Sequence, residues 1–191
     1  MSISCELRFK TYNTRRNLPP EVRCKRGEAN FVGAFIRSYI GQMDCPFVYG
    51  RHFTVPGCGT ADFVLYRSPL ETDEPLGRHD ACLVAFEAKL FDWKKALQQA
   101  YRYRYYADLA VVLLPCERGL AALAHRDVFQ RLGVALWTFD ASLGEIRKHV
   151  LPSQSRPLNL ERWRQALTAI RRCISNLRGR HELPQTFLDR V

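Results

Sequence analysis

The chain is poor in the features that mark several large protein classes. No apolar run approaches the roughly 18 residues that a membrane-spanning helix needs. The first seventeen residues, MSISCELRFKTYNTRRN, lack the apolar core of a signal peptide. These absences favour a cytoplasmic protein with no membrane partner. The seven cysteines (5, 24, 45, 58, 82, 116 and 173) are odd in number and scattered, with no CxxC, so reduced thiols are expected and a disulfide framework is not. Cys45, His52 and Cys58 lack the paired spacing of a zinc site. There is no HExxH, no Ser or Cys nucleophile framework, no internal repeat and no low-complexity segment. The GCG at 57–59 precedes a strand pattern rather than a helix, so it is not a dinucleotide loop.

What remains is an ordinary globular composition with an uneven charge. A hydrophobic fraction of 47% in 191 residues supplies a sizeable core, most simply as one domain over 1–191. The net charge of +10 resides in the two ends. Residues 1–26 carry seven Lys+Arg against two acids, residues 27–152 carry fourteen of each, and residues 153–180 carry seven Arg against one Glu. Two basic arms around a neutral body suggest a polyanion partner, although solvated tails give the same count. The division is a basic arm over 1–24, a core over about 25–140 and a basic terminal helix over 158–178.

Periodicity orders the core. Residues 25–41 read as an amphipathic helix with Phe31, Ala34, Phe35, Ser38 and Tyr39 on one stripe and Glu28 in its first turn, where a carboxylate suits the helix N-terminus. Cys45–Val55 and Thr60–Arg67 read as a hairpin. On its second strand Asp62, Val64 and Tyr66 share one face, and Ala61, Phe63 and Leu65 the other. Residues 1–24 are read as irregular, 67–81 as a polar excursion, 118–132 as a helix, Val134–Phe139 and Glu145–Val150 as strands. A helix from the cap Asn159 to about Leu177 places Leu160, Trp163, Leu167, Ile170 and Ile174 on one face.

The stretch Cys82–Pro115 organises the rest. It reads as a strand, a helix capped by Asp92, and a second strand. Glu87 and Lys89, two apart at the exit of the first strand, point to one face. If this strand neighbours 60–67, Asp62 meets the pair. Two carboxylates so placed repel unless a cation lies between them, and hard oxygens in this number suit Mg²⁺ or Mn²⁺. Lys89 is then placed to orient or deprotonate an attacking water, or to offset charge on phosphorus. On the helix Gln99, Arg102, Tyr103 and Tyr106 share a side, while Trp93, Ala96, Leu97, Ala100 and Ala107 form the stripe that packs on the sheet. Gln99 either borders the site or is a surface helix former. The aromatic and basic run at 101–106 mixes residues that stack bases and grip phosphates, among them Arg102, Tyr103 and Arg104.

Asp62, a gap, then Glu87-Ala88-Lys89 at a strand end, followed by helix and strand, resembles the PD-(D/E)xK nuclease superfamily. The resemblance covers about residues 25–115, with Ala61 in place of the proline of the name. It implies an α/β restriction-endonuclease-like fold with an αβββαβ core, a mixed central sheet flanked by helices, and here a C-terminal helical extension. It implies Asp62, Glu87 and the Ala88 carbonyl as metal ligands, with Glu28 as a further acid, and Lys89 as the catalytic lysine. Gln99 and Tyr103 are similar to the Gln-x-x-x-Tyr element of the RecB-like branch. The expected function is a metal-dependent DNA endonuclease leaving 5′-phosphate and 3′-hydroxyl ends. The basic arms, including Arg171 and Arg172, would hold the nucleic-acid backbone. A homodimer or a partner protein would fit small members of that superfamily. The alternative is a non-catalytic or partner-dependent nucleic-acid-binding protein of the same fold.

Overall fold

The computed structural model describes residues 4–9, 26–43, 47–67, 82–153 and 156–178. The basic arm over 10–24, Cys45 and the excursion at 68–81 lie outside the described residues. In chain order the elements are β1 (Ser4–Leu7), α1 (Arg26–Gly41), β2 (Phe47–Val55), β3 (Gly59–Arg67), β4 (Cys82–Ala88), α2 (Trp93–Tyr103), β5 (Leu109–Pro115), α3 (Cys116–Leu123), α4 (Arg126–Leu132), β6 (Ala135–Asp140), β7 (Glu145–Val150) and α5 (Leu160–Arg178). The seven strands form one mixed sheet whose spatial order follows the chain. β2, β3 and β4 run antiparallel, while β4, β5 and β6 run parallel. Among the described residues no helix is long and apolar enough to cross a membrane.

Both faces of the sheet are covered, which is why β4 and β5 read as almost unbroken apolar runs. One face meets α1 in an aromatic layer built around Phe35, Phe63, Phe86 and Trp137. The other meets α2 and α5 in an aliphatic layer around Leu97, Ala100, Val112, Leu167 and Ile170. Asp92 starts α2 as expected, its carboxylate accepting from Lys95 N at 3.0 Å. Asn159 does the same for α5, accepting from Arg162 N at 3.0 Å.

Four expectations are corrected. Residues 4–7 are a strand, paired in parallel with β2. They approach closely enough that a Cβ on Gly50 would lie 2.8 Å from the Leu7 carbonyl, so a glycine is needed there. The single helix expected over 118–132 is two, broken at Ala124–His125, where the His125 ring stacks on Trp93 at 4.9 Å. The apolar face of α5, a candidate surface for the expected homodimer or partner protein, is spent inside the chain: Ala166, Leu167, Ile170 and Ile174 are buried in the α2-side core, and Leu160 is exposed.

The fourth correction concerns the alternation along the hairpin. Val48 packs on the α2 side, and so do Phe53 and Val55, an odd-number step away. The reversal occurs at His52, a non-glycine residue with φ of 56°, in the left-handed region. One residue out of step sends every later side chain to the opposite face. On β3 the same reversal puts Ala61 on the α2 side with Val64 and Tyr66, while Phe63 and Leu65 face α1. The hairpin therefore turns over at His52 and Asp62, beside the residues singled out above.

Candidate active site

The site forms where β3 and β4 part. Their ladder runs from Arg67↔Cys82 to Phe63↔Phe86 and stops. Beyond it the Ala88 N–H, which a continued ladder would pair with backbone, donates instead to Asp62 Oδ2 at 2.9 Å. Asp62 thus satisfies a buried donor and holds the splayed strands together. On the other side Lys89 N donates to the Leu113 carbonyl of β5 at 3.2 Å, which fixes the lysine at the end of the parallel pair.

Asp62 and Glu87 are both buried, at 5% and 1% exposure. Lys89 Nζ lies 2.8 Å from Glu87 Oε1 and donates to the Ala88 carbonyl at 3.1 Å. The three residues on which the resemblance rests are therefore in one constellation, and the same-face spacing of Glu87 and Lys89 has its expected consequence. Tyr103 completes the group from α2. Its hydroxyl lies 2.5 Å from Glu87 Oε2 and 2.7 Å from the Thr60 carbonyl.

That hydroxyl has one proton and two acceptors. With Glu87 ionised, Tyr103 serves the carboxylate and forgoes Thr60. With Glu87 protonated, Glu87 donates to Tyr103 and Tyr103 donates to Thr60, so both contacts become hydrogen bonds. The electrostatics run the same way. Burial, and then the charge of Asp62, push the Glu87 carboxyl up to about 8, against the pull of Lys89 and the Tyr103 hydroxyl. Burial works to lower the Lys89 ammonium, but the charges of Glu87 and Asp62 outweigh it and hold its pKa up. The pair titrates as a unit, since a neutral Glu87 would remove part of what holds Lys89 charged. The chain alone thus makes a site short of positive charge.

The other expected site residues divide. Glu28, half-buried in the first turn of α1, lies close enough for its charge to act on Lys89. Among the described residues, however, no three His, Cys, Asp or Glu side chains gather as a metal cluster, so Glu28 is not brought together with Asp62 and Glu87 as a ligand set. Gln99, one turn before Tyr103, is half-buried, and its Oε1 is buried without a hydrogen-bond partner among the described residues. Tyr103 is 1% exposed and Tyr106 is fully buried, so neither ring is offered to a base; this corrects the surface role expected of Tyr103. Arg104 is half-buried, and its Nη1 donates to the Leu132 carbonyl at 2.9 Å, closing the end of α4 rather than facing a ligand. Arg102, Arg171 and Arg172 are exposed.

The donor set fits a hard divalent cation. Two carboxylates and one backbone carbonyl are all oxygen, and a site with so few protein ligands suits an ion that keeps waters and takes ligands from substrate. A cation there would relieve the Asp62–Glu87 repulsion that now raises the Glu87 carboxyl.

The class these observations define is a mixed α/β protein with a buried carboxylate pair and a lysine at the parting of two strands. Comparison with protein-family models, curated proteins and solved structures finds no significant match to this chain.

Proposed function

We propose that the chain is a divalent-metal-dependent nuclease that hydrolyses phosphodiester bonds, acting on DNA as an endonuclease and leaving 5′-phosphate and 3′-hydroxyl ends. The observation that carries this reading is the buried Asp62–Glu87 pair with Lys89 Nζ 2.8 Å from Glu87. The element order supports it too: α1, β2, β3, β4, α2 and β5 follow the αβββαβ order of the restriction-endonuclease-like fold.

Asp62, Glu87 and the Ala88 carbonyl would hold Mg²⁺ or Mn²⁺, which supplies charge neutralisation and polarises a phosphate oxygen when bound. Once Glu87 had another cation, Lys89 would turn to the water, and as an ammonium it would orient that water and offset charge on phosphorus. The water oxygen attacks phosphorus in line and gives its proton to bulk water, the bond from phosphorus to the 3′-oxygen breaks, and bulk water returns a proton to that leaving oxygen. Tyr103 holds Glu87 at the opposite oxygen, so the carboxylate keeps its orientation when Lys89 leaves. Arg102 on α2 and Arg171 and Arg172 on α5 would grip the phosphate backbone without reading sequence.

A second reading, a non-catalytic or partner-dependent nucleic-acid-binding protein of the same fold, draws on one observation. Both Glu87 oxygens and Asp62 Oδ2 already have partners within the chain, as a purely structural network would. Incubation of supercoiled, linear, single-stranded and branched DNA and of RNA with Mg²⁺ or Mn²⁺ separates the two. The nuclease reading expects metal-dependent cleavage that falls at least about a hundredfold in Lys89→Ala. Binding with no cleavage of any substrate would transfer the weight to the second reading.

A further inference from the structure

We propose that Arg51 and His52 form an anion subsite beside Asp62 that takes a backbone phosphate flanking the bond to be cut; the identity of that anion rests on the nuclease reading above. The observations are local to β2. Arg51 pairs with Phe63 and Phe53 with Ala61, which sets His52 across from Asp62. The charges of Arg51 and Asp62 both act on the imidazole, so the three groups share one neighbourhood.

Two costs fall on these neighbouring residues. Arg51 is half-buried, and among the described residues its buried Nε has no hydrogen-bond partner and no carboxylate pairs with it. Arg131 and Arg147, both far more exposed, do have acid partners. A half-buried guanidinium without an anion is an incomplete arrangement. His52 carries a left-handed backbone that L-residues adopt at a cost, and its Nδ1 is likewise buried with no partner among the described residues. Backbone strain and orphaned donors concentrated next to a candidate catalytic carboxylate are the pattern in which ligand binding supplies what the fold withholds.

The strand edge and the chemistry agree. β1 pairs with β2 only as far as Leu7↔Gly50, so from Arg51 onward that edge of β2 has no strand partner among the described residues. A guanidinium fork matches two phosphate oxygens, and an imidazole N–H adds a third donor.

Fluorescence anisotropy with labelled single-stranded and duplex DNA, without divalent metal so that nothing is cut, tests this on the full chain. Arg51→Ala should weaken binding about tenfold and reduce the salt slope by about one, while Arg51→Lys keeps the slope. If Arg51→Ala fails to fold, Arg51→Gln carries the same test. His52→Gly keeps the backbone and removes the ring: its melting temperature should hold or rise while affinity falls several-fold, and His52→Asn should recover most of the affinity. A second arm titrates inorganic phosphate against the melting temperature of wild type and Arg51→Ala. DNA binding and slope unchanged by Arg51→Ala would overturn the subsite and leave the nuclease reading standing. Phosphate stabilisation through Arg51 in a chain that neither binds nucleic acid here nor cuts it with Mg²⁺ or Mn²⁺ would keep the anion site and remove the nuclease reading. Neither kind of binding would remove the subsite, and the cleavage assay above then decides the nuclease reading.

Discussion

Strand β4 is capped by an aspartate at each end, and the two ends differ in an instructive way. At its start Leu83 N donates to Asp108 Oδ2 at 2.8 Å, and Trp163 Nε1 reaches the same oxygen at 3.3 Å. At its exit Ala88 N donates to Asp62 Oδ2 at 2.9 Å. The backbone service is the same: a buried donor that the ladder does not reach is satisfied by a carboxylate. Burial raises the Asp108 carboxyl, opposed by hydrogen bonds from Leu83 and Trp163, and among the described residues its side-chain hydrogen-bond partner is an indole. At the Asp62 end a second buried carboxylate and an ammonium are added. Capping explains Asp62 but not Glu87 or Lys89, and that surplus distinguishes a candidate site from a structural one.

Paired substitutions test that distinction most strongly. Asp62→Ala and Asp108→Ala each strand a backbone donor, and each should cost about 1–3 kcal/mol of stability by chemical denaturation. Activity should separate them. Asp62→Ala should lose cleavage by about a thousandfold or more, and Asp108→Ala should stay within about twofold when assayed well below its melting temperature. Equal losses of activity would reduce Asp62 to a strand cap.

The next effect is a pH dependence confined to one end. In metal-free protein the folded chain keeps a proton on Glu87 between about 4.5 and about 8 that the unfolded chain has released. Stability therefore falls as pH rises through that window, by at most about 1.4 kcal/mol per unit. Glu87→Gln should flatten the fall. Mg²⁺ competes with that proton, so its stabilisation of wild type should grow from pH 6 to pH 8 and vanish in Glu87→Gln. Melting curves across pH, with EDTA or Mg²⁺, check both. A wild-type profile as flat as that of the variant would mean that Glu87 is ionised throughout.

The core of the site was legible because it rests on short-range rules. An apolar run of strand length and composition ending in Glu-x-Lys reads as a strand exit with two charges on one face, and Asp92 has the spacing of a helix cap. What was illegible depended on partners distant in sequence. Ser4–Leu7 alternates weakly and becomes a strand only because Gly50 lets it approach β2. The break between α3 and α4 carries no Gly or Pro at Ala124–His125. The reversal at His52 uses a residue type enriched at positive φ, but most histidines do not adopt it, so the residue alone does not mark the turn-over. Tyr103 and Tyr106 sit among arginines in sequence, and only the packing of α2 on the sheet shows that their rings point inward.

Those two tyrosines give the smallest and most discriminating contrast. Both are buried, Tyr103 at the end of α2 and Tyr106 in the turn that follows, with ring centroids 5.8 Å apart. The Tyr103 hydroxyl has Glu87 and Thr60, whereas the Tyr106 hydroxyl is buried with no hydrogen-bond partner among the described residues. Tyr103→Phe should cost about 1–2 kcal/mol and lower cleavage several-fold, because Glu87 loses the bond that fixes its second oxygen. Tyr106→Phe removes a group whose burial is uncompensated, so stability should hold or rise by up to about 1 kcal/mol with cleavage unchanged. Denaturant midpoints and initial rates for the two single variants suffice. If Tyr106→Phe were as damaging as Tyr103→Phe, the effect would belong to packing of the α2 face, and Tyr103 would lose its claim to position Glu87.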